Sequence, residues 1–302
     1  MESLSSSVFA SRPVGRDYHR IAVAPIAGAL GAEISGVDLS RPPDAATVAE
    51  LRAALLDHLV IFFRGQTLTP EQHKALGRSF GELSVHPYIK GLDGHPEIMI
   101  VKKEREDAFN FAGGWHSDST YHEVPSLGSI LYAIEVPPFG GDTLFANMYL
   151  AYDALSDGMK RMLDPLVALH SFRGRAGLGR DQDLGNAAVG GYAAAKGSAE
   201  AMAAPVEHPV VRTHPETGRK ALYVNPMFTL RLKGFSDAES QPLLDFLYRH
   251  AERADFTCRF RWTSGAVAFW DNRALMHLPL NDYHGERRIM HRVTINGSAR
   301  PV

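Results

Sequence analysis

An imidazole and a carboxylate stand two residues apart in Trp115-His116-Ser117-Asp118. On an extended segment that spacing turns both side chains to one face, where His116 and Asp118 can touch a single metal ion. The pair alone is a weak signal, because a chain with 14 histidines meets about one His-x-Asp by chance, and a polar turn explains it equally well. It gains weight downstream. His277 follows the strongly apolar stretch Ala266 to Trp270, and Arg288 and Arg292 lie on the last apolar segment of the chain.

Two imidazoles and one carboxylate on one face form the facial triad that suits Fe(II), since three adjacent octahedral positions stay open. A 2-oxo acid can chelate through its carboxylate and keto oxygens and leave the last position for O₂. Its remote carboxylate then needs an anchor. The planar, permanently charged guanidinium of Arg288 fits that task, although taken singly it reads equally well as a surface residue in the basic run Arg287-Arg288. Two alternatives remain open on these residues. One is a zinc hydrolase, because two His and a carboxylate also describe catalytic zinc. The other is a non-catalytic β-barrel that binds a metal or an organic acid.

The bulk properties narrow the partners. The chain has 302 residues, 45% hydrophobic and 22% charged, with 32 Lys plus Arg against 34 Asp plus Glu. That balance is ordinary for a globular protein and leaves no electrostatic footprint for nucleic acid or an anionic membrane. No apolar run reaches the roughly 18 residues needed to cross a bilayer. One cysteine, Cys258, cannot form an internal disulfide, and the first residues lack a signal-peptide pattern. A cytoplasmic protein acting on a small molecule is expected, with homo-oligomerisation left open.

The elements that must position these residues are mostly strands. Apolar segments at Ile98 to Val101, Leu127 to Val136, Thr143 to Ala146, Val167 to Phe172, Val210 to Thr213, Ala221 to Asn225, Phe256 to Trp262, Ala266 to Trp270 and Ile289 to Ile295 alternate with turns such as Gly140-Gly141-Asp142. This pattern predicts an antiparallel barrel or jelly roll, not strands linked by crossover helices. Helices flank them. Asp44 precedes an amphipathic run to Leu59 that leads into the buried strand Val60 to Phe63, and capping boxes open helices at Thr69-Pro70-Glu71-Gln72 and Ser236-Asp237-Ala238-Glu239. One domain over 1–302 is expected, with 1–18 a loose polar arm and the Gly/Ala-rich stretch 174–206 a cover over the site.

Together these residues resemble the taurine dioxygenase (TauD/TfdA) family of Fe(II)/2-oxoglutarate enzymes. The likeness runs through Gly31-Ala32-Glu33-Ile34-Ser35-Gly36-Val37-Asp38-Leu39, Gly81-Glu82-Leu83, Trp115-His116-Ser117-Asp118, Gly140-Gly141-Asp142-Thr143, Tyr223-Val224-Asn225, Trp270-Asp271-Asn272 and the Arg288 to Arg292 pair. It implies a mainly β fold with flanking helices, a double-stranded β-helix (jelly roll). It also implies iron at His116, Asp118 and His277, and the remote carboxylate of 2-oxoglutarate at Arg288 with Thr143. The expected reaction hydroxylates a small organic anion with O₂ and releases succinate and CO₂, because the carboxylate position that halogenases leave open is filled here by Asp118.

For the substrate, the resemblance matches His86 to a position that meets an anionic head group, and it puts Arg292 either at that head group or at the near end of the cosubstrate. Ser119 and Tyr121 follow the metal motif, and Phe109-Asn110-Phe111-Ala112 precedes it where the taurine enzymes carry polar groups for an amine. Phe109, Phe111 and Tyr121 would line an apolar, aromatic wall. A sulfonate, alkyl sulfate or aryloxyalkanoate with a hydrophobic body fits that wall better than a zwitterion. Thr213-His214-Pro215-Glu216-Thr217-Gly218-Arg219-Lys220 and Asp255-Phe256-Thr257-Cys258-Arg259 are also similar to the aryloxyalkanoate members of the family.

Overall fold

Val60-Ile61-Phe62-Phe63 is apolar at every position, and the strand Val60–Phe63 is buried throughout its length. The strand period of two sends Val60 and Phe62 into one core and Ile61 and Phe63 into another. A strand with this pattern belongs in the middle of a sheet covered on both faces. The computed structural model, which describes residues 16–86, 89–172 and 204–302, places it there. From edge to edge the eight-stranded sheet runs Ala22–Pro25, Ala32–Ser35, Val60–Phe63, Val267–Asp271, Gly128–Glu135, Arg288–Ile295, His95–Lys103 and Gly91–Leu92.

The same alternation sorts the other central strands. Leu131, Ala133, Ala268, Trp270 and Met290 face the inner core, while Ile130, Tyr132, Val267, Phe269, Val293 and Ile295 face the outer one. The helices Ala45–His58 and Pro70–Arg78 cover the outer face with Leu51, Ala54, Leu55 and Leu76. On the inner face a smaller antiparallel sheet packs, with Thr143–Asn147 between Thr257–Phe260 and Leu275–Pro279. Phe62 of the large sheet stacks on Phe260 of the small one at 3.9 Å between centroids and meets Phe145 edge-on at 5.6 Å. The two sheets therefore share one apolar layer. A three-stranded sheet, Thr229–Leu232, Val167–His170 and Val206–Pro209, and the hairpin pair Val211–Thr213 and Lys220–Leu222 complete the strands.

The fold is mainly β with flanking helices, as expected. Both capping boxes form: Thr69 accepts from Gln72 N–H and Ser236 from Glu239 N–H, each with the reciprocal bond, and such caps contribute about 1 kcal/mol apiece. Asp44 caps Ala45–His58 through Thr47 N–H. Two expectations need correction. Pairing is not wholly antiparallel, because Ala32–Ser35 runs parallel to Val60–Phe63 and Ala45–His58 makes the crossover between them. A parallel neighbour requires such a crossover, and the helical run before Val60 was its signal. The strands Val206–Pro209, Thr229–Leu232 and Leu275–Pro279 and the short helices Met148–Asp153 and Asp157–Leu163 were not expected.

Of the polar arm, residues 1–15 lie outside the described part; Arg16 Nε and Tyr18 OH both donate to Asp57, at 3.1 and 3.0 Å. The stretch read as a cover, 174–206, also lies almost wholly outside it, and Val206 already belongs to a strand. Among the described residues no helix is long and apolar enough to cross a membrane.

Candidate active site

His116 and His277 are brought together by their backbones. His277 sits in the Leu275–Pro279 strand, and an isolated antiparallel bridge joins it to His116: His116 N–H donates to His277 O at 3.0 Å and His277 N–H to His116 O at 2.8 Å. Residues paired this way project side chains to the same face, and the ring centroids lie 4.2 Å apart. Two residues along the extended segment, Asp118 turns to that face. Its Oδ1 lies 3.6 Å from His116 Nε2 and 4.0 Å from His277 Nε2. Among the described residues no other trio of His, Cys, Asp or Glu converges so closely, with ligand atoms within 4.8 Å of one another.

The surroundings set the state of each ligand. His116 Nδ1 lies 2.7 Å from Gly114 O, and a carbonyl only accepts, so the proton is on Nδ1 and the Nε2 lone pair points at the cluster. Burial, together with the neighbouring His116, pushes His277 down to about 3, which keeps it neutral. Burial alone would raise the Asp118 carboxyl, but the Arg292 guanidinium, with Nη1 at 3.1 Å from Oδ1, holds it well below the usual range. Ser129 Oγ donates to Asp118 Oδ2 at 3.0 Å, and Asp118 N–H donates to Asn272 Oδ1 at 3.2 Å. Two imidazole nitrogens and one carboxylate oxygen, all buried, suit Fe(II).

A cavity lined by His116 and His277 continues to Thr143, Arg288, Trp262 and Tyr283. The turn Gly140-Gly141 delivers Thr143 to it. Both glycines adopt positive φ, 70° and 67°, and a Cβ on Gly140 would stand 2.6 Å from Asp282 Oδ1, so only glycine fits there. Thr143 Oγ1 accepts from Trp262 Nε1 at 2.9 Å, which leaves its own O–H to donate. Arg288 is not the surface residue its neighbour suggested. Arg287 points outward to Glu104 and Glu135, whereas Arg288 is buried, and its Nε and Nη2 have no hydrogen-bond partner among the described residues. Burial lowers its pKa from the ordinary value. Buried guanidinium N–H groups left over by the protein mark a place for an anion.

Around the metal cluster the other expected residues separate. His86 Nδ1 accepts from Ile89 N–H at 3.1 Å, so its proton is on Nε2; burial first, then Arg292, lowers it to about 4. Phe111 lines the cavity. Tyr121 packs edge-on to Phe228 at 4.9 Å and Phe172 at 5.0 Å, and Phe228 meets the His116 ring edge-on at 5.9 Å. Phe109 is not part of this wall: it is 60% exposed. Ser119 does not line the cavity; it makes the turn after Asp118, with φ 61°, a strained backbone for a residue with a Cβ. Sequence reasoning missed Ser129, Phe228, Trp262, Tyr283 and Lys103. Lys103 carried no readable cue, because it follows the unbroken apolar run Ile98 to Val101 beside a second lysine, Lys102.

Comparison with known proteins agrees with this geometry. A family model for the taurine catabolism dioxygenase TauD, TfdA family matches residues 22–294. The chain is 39% identical over 280 residues to the alpha-ketoglutarate-dependent sulfate ester dioxygenase of Pseudomonas putida, covering 91% of this chain and 89% of that one. It is 33% identical over 280 residues to the (S)-phenoxypropionate/alpha-ketoglutarate-dioxygenase of Sphingobium herbicidovorans, with 91% and 94% covered. A crystal structure of a taurine dioxygenase from Burkholderia xenovorans superposes with a TM-score of 0.78 at 39% identity, covering 94% of this chain and 93% of that one. The chain therefore belongs to the TauD, TfdA family, and its class is that of the 2-oxoglutarate-dependent non-haem iron dioxygenases.

Proposed function

We propose that this enzyme hydroxylates a small organic anion with an apolar body, a sulfate ester or aryloxyalkanoate in class. The observation that carries the reading is one cavity lined both by His116 and His277 and by Arg288, whose buried Nε and Nη2 have no hydrogen-bond partner among the described residues. When bound, Fe(II) with 2-oxoglutarate and O₂ supplies the oxidising power for an unactivated C–H bond, with release of succinate and CO₂.

In this reading His116, Asp118 and His277 hold the metal. Arg288 N–H groups and the Thr143 hydroxyl hold the remote carboxylate of 2-oxoglutarate. The substrate's anionic head is met by one charge, Arg292, and by one neutral donor, His86 Nε2–H, since His86 is uncharged near neutral pH. Phe111, Tyr121 and Phe228 shield the apolar body and exclude water. The packed large and small sheets support a double-stranded β-helix, and the continuous sharing of strands between two cores supports one domain across 1–302.

The test is succinate formation with Fe(II), 2-oxoglutarate and O₂ across a panel of sulfonates, alkyl sulfates and aryloxy acids. Substrate-dependent succinate with the apolar anions supports the proposal. Turnover sustained by zinc without O₂ would overturn it in favour of a hydrolase.

A further inference from the structure

Lys103 is an unexpected side chain to find in the inner layer. It ends the strand His95–Lys103, and its register partner is Arg288. Directly opposed residues of an antiparallel pair project to the same face, so both side chains leave neighbouring strands on the same side of the sheet. Their strand neighbours Val101 and Met290, also register partners, face the same inner core.

Lys103 is 2% exposed, lines the cavity with Arg288 and Thr143, and holds Nζ 4.7 Å above the Tyr283 ring. Among the described residues its Nζ has neither a hydrogen-bond partner nor a carboxylate within ion-pair distance. Glu104 pairs with Lys102 and Arg287, and Asp142 pairs through Oδ2 with Arg259; neither forms an ion pair with Lys103. Burying two cations with no carboxylate in ion-pair distance is expensive, and contacts with the Tyr283 ring and hydroxyl offset only part of that cost. The arrangement is reasonable once an anion sits between them.

We infer that Lys103 is a second cationic contact for the remote carboxylate of 2-oxoglutarate, so that Arg288 and Lys103 clamp it from two neighbouring strands. The inference rests on the 2-oxoglutarate reading above. The guanidinium supplies planar direction, and the ammonium supplies a compact charge that can follow either carboxylate oxygen. A keto acid without that carboxylate would leave both cations buried and unpaired, which makes the clamp a selectivity device as well as an anchor.

The test is direct binding, measured by calorimetry on anaerobic Fe(II)-loaded protein. The ligands are 2-oxoglutarate and 2-oxopentanoate, the same five-carbon keto acid without the remote carboxylate. Lys103→Met should weaken 2-oxoglutarate about 10- to 100-fold, the size of one charge-assisted hydrogen bond, and leave 2-oxopentanoate within about twofold. Lys103→Gln, which keeps a donor and loses the charge, should weaken 2-oxoglutarate in the same selective way and serves if the apolar variant does not fold. Equal weakening of both acids, or unchanged 2-oxoglutarate affinity, overturns the clamp while leaving the cosubstrate assignment intact. Wild-type protein that does not bind 2-oxoglutarate overturns that assignment and the clamp with it.

Discussion

His116 and His277 are held opposite each other by a reciprocal pair of backbone hydrogen bonds, 3.0 and 2.8 Å long. Neither bond involves an imidazole. The placement of the ligands is thus separate from their chemistry, and a ligand can be deleted without removing what positions the rest. His116→Ala, Asp118→Ala and His277→Ala should each reduce succinate formation to background with folded protein. Iron stoichiometry measured beside activity checks this; full turnover in an iron-replete variant would remove that residue from the site.

Ser129 supports the carboxylate ligand through a 3.0 Å bond to Asp118 Oδ2. Ser129→Ala should lower metal affinity roughly 10-fold, the lower end for partners that orient a metal ligand. Competitive titration with a chelator reads the change. An unaltered metal affinity would show that Arg292 and Asn272 orient Asp118 without help.

Arg288→Ala should raise the 2-oxoglutarate dissociation constant by at least about 30-fold, since losing one partner of a buried charge pair costs about 2–5 kcal/mol. Metal affinity should be little changed. Arg288→Lys should not restore binding, because a point charge lacks the planar fork. Equilibrium dialysis under anaerobic conditions measures all three quantities, and an unchanged constant in the alanine variant moves the anchor elsewhere.

The turn that leads into the His277 strand is fixed by a buried ion pair. Arg273 Nε and Nη2 donate to the two oxygens of Asp271 at 2.8 and 2.7 Å, and His214 Nε2 lies 3.1 Å from Asp271 Oδ2. Arg273→Met should destabilise the fold by about 3–5 kcal/mol at pH 7 by stranding a buried carboxylate. Burial would raise Asp271, but Arg273 and His214 outweigh it, so its folded pKa lies below the ordinary 3.8. The pair's stabilisation is therefore complete above that ordinary value and fades as pH falls beneath it. Urea unfolding at pH 7 and pH 3 should show the gap between wild type and variant narrowing at the lower pH. A gap of constant size would assign the loss to packing.

Taurine should be a poor substrate. Phe111 and Ala112 line the cavity where an ammonium would need polar partners, and an unpaired cation penalty of even ~2.8 kcal/mol is about a hundredfold in relative turnover. Succinate release with taurine is compared with that for a hydrophobic alkyl sulfate and an aryloxypropionate. If taurine turns over fastest, the apolar wall is not where the substrate rests.

What could be read from the sequence was local. The capping boxes at Thr69 and Ser236 involve residues three apart, and the His116/Asp118 face follows from strand geometry alone; both are present in the structure. Arg288 was the candidate anchor, but local pattern alone could not separate it from Arg287, because the two look alike until the register with Lys102 and Lys103 is known. The Leu275–Pro279 strand escaped notice because it starts immediately after the Asp271-Asn272-Arg273 turn, with no glycine or proline to mark its beginning. The parallel pairing of Ala32–Ser35 with Val60–Phe63 depends on contacts across a whole helix, which no short window contains. Phe109 and Phe111 illustrate the same limit: equal in type and two apart, one is exposed and the other lines the cavity.

The strand Val60–Phe63 contributes alternate side chains to two cores, and this ties their opening together. The inner layer cannot loosen by peeling away one sheet, because its central strand is pinned from behind by Leu51, Leu55 and Phe80. Backbone amides of Ile61 and Phe62 should be among the slowest to exchange with deuterium, released only by global opening. A truncation on the far face, such as Phe63→Ala, should then accelerate exchange around the metal ligands as much as around itself, although it touches none of them.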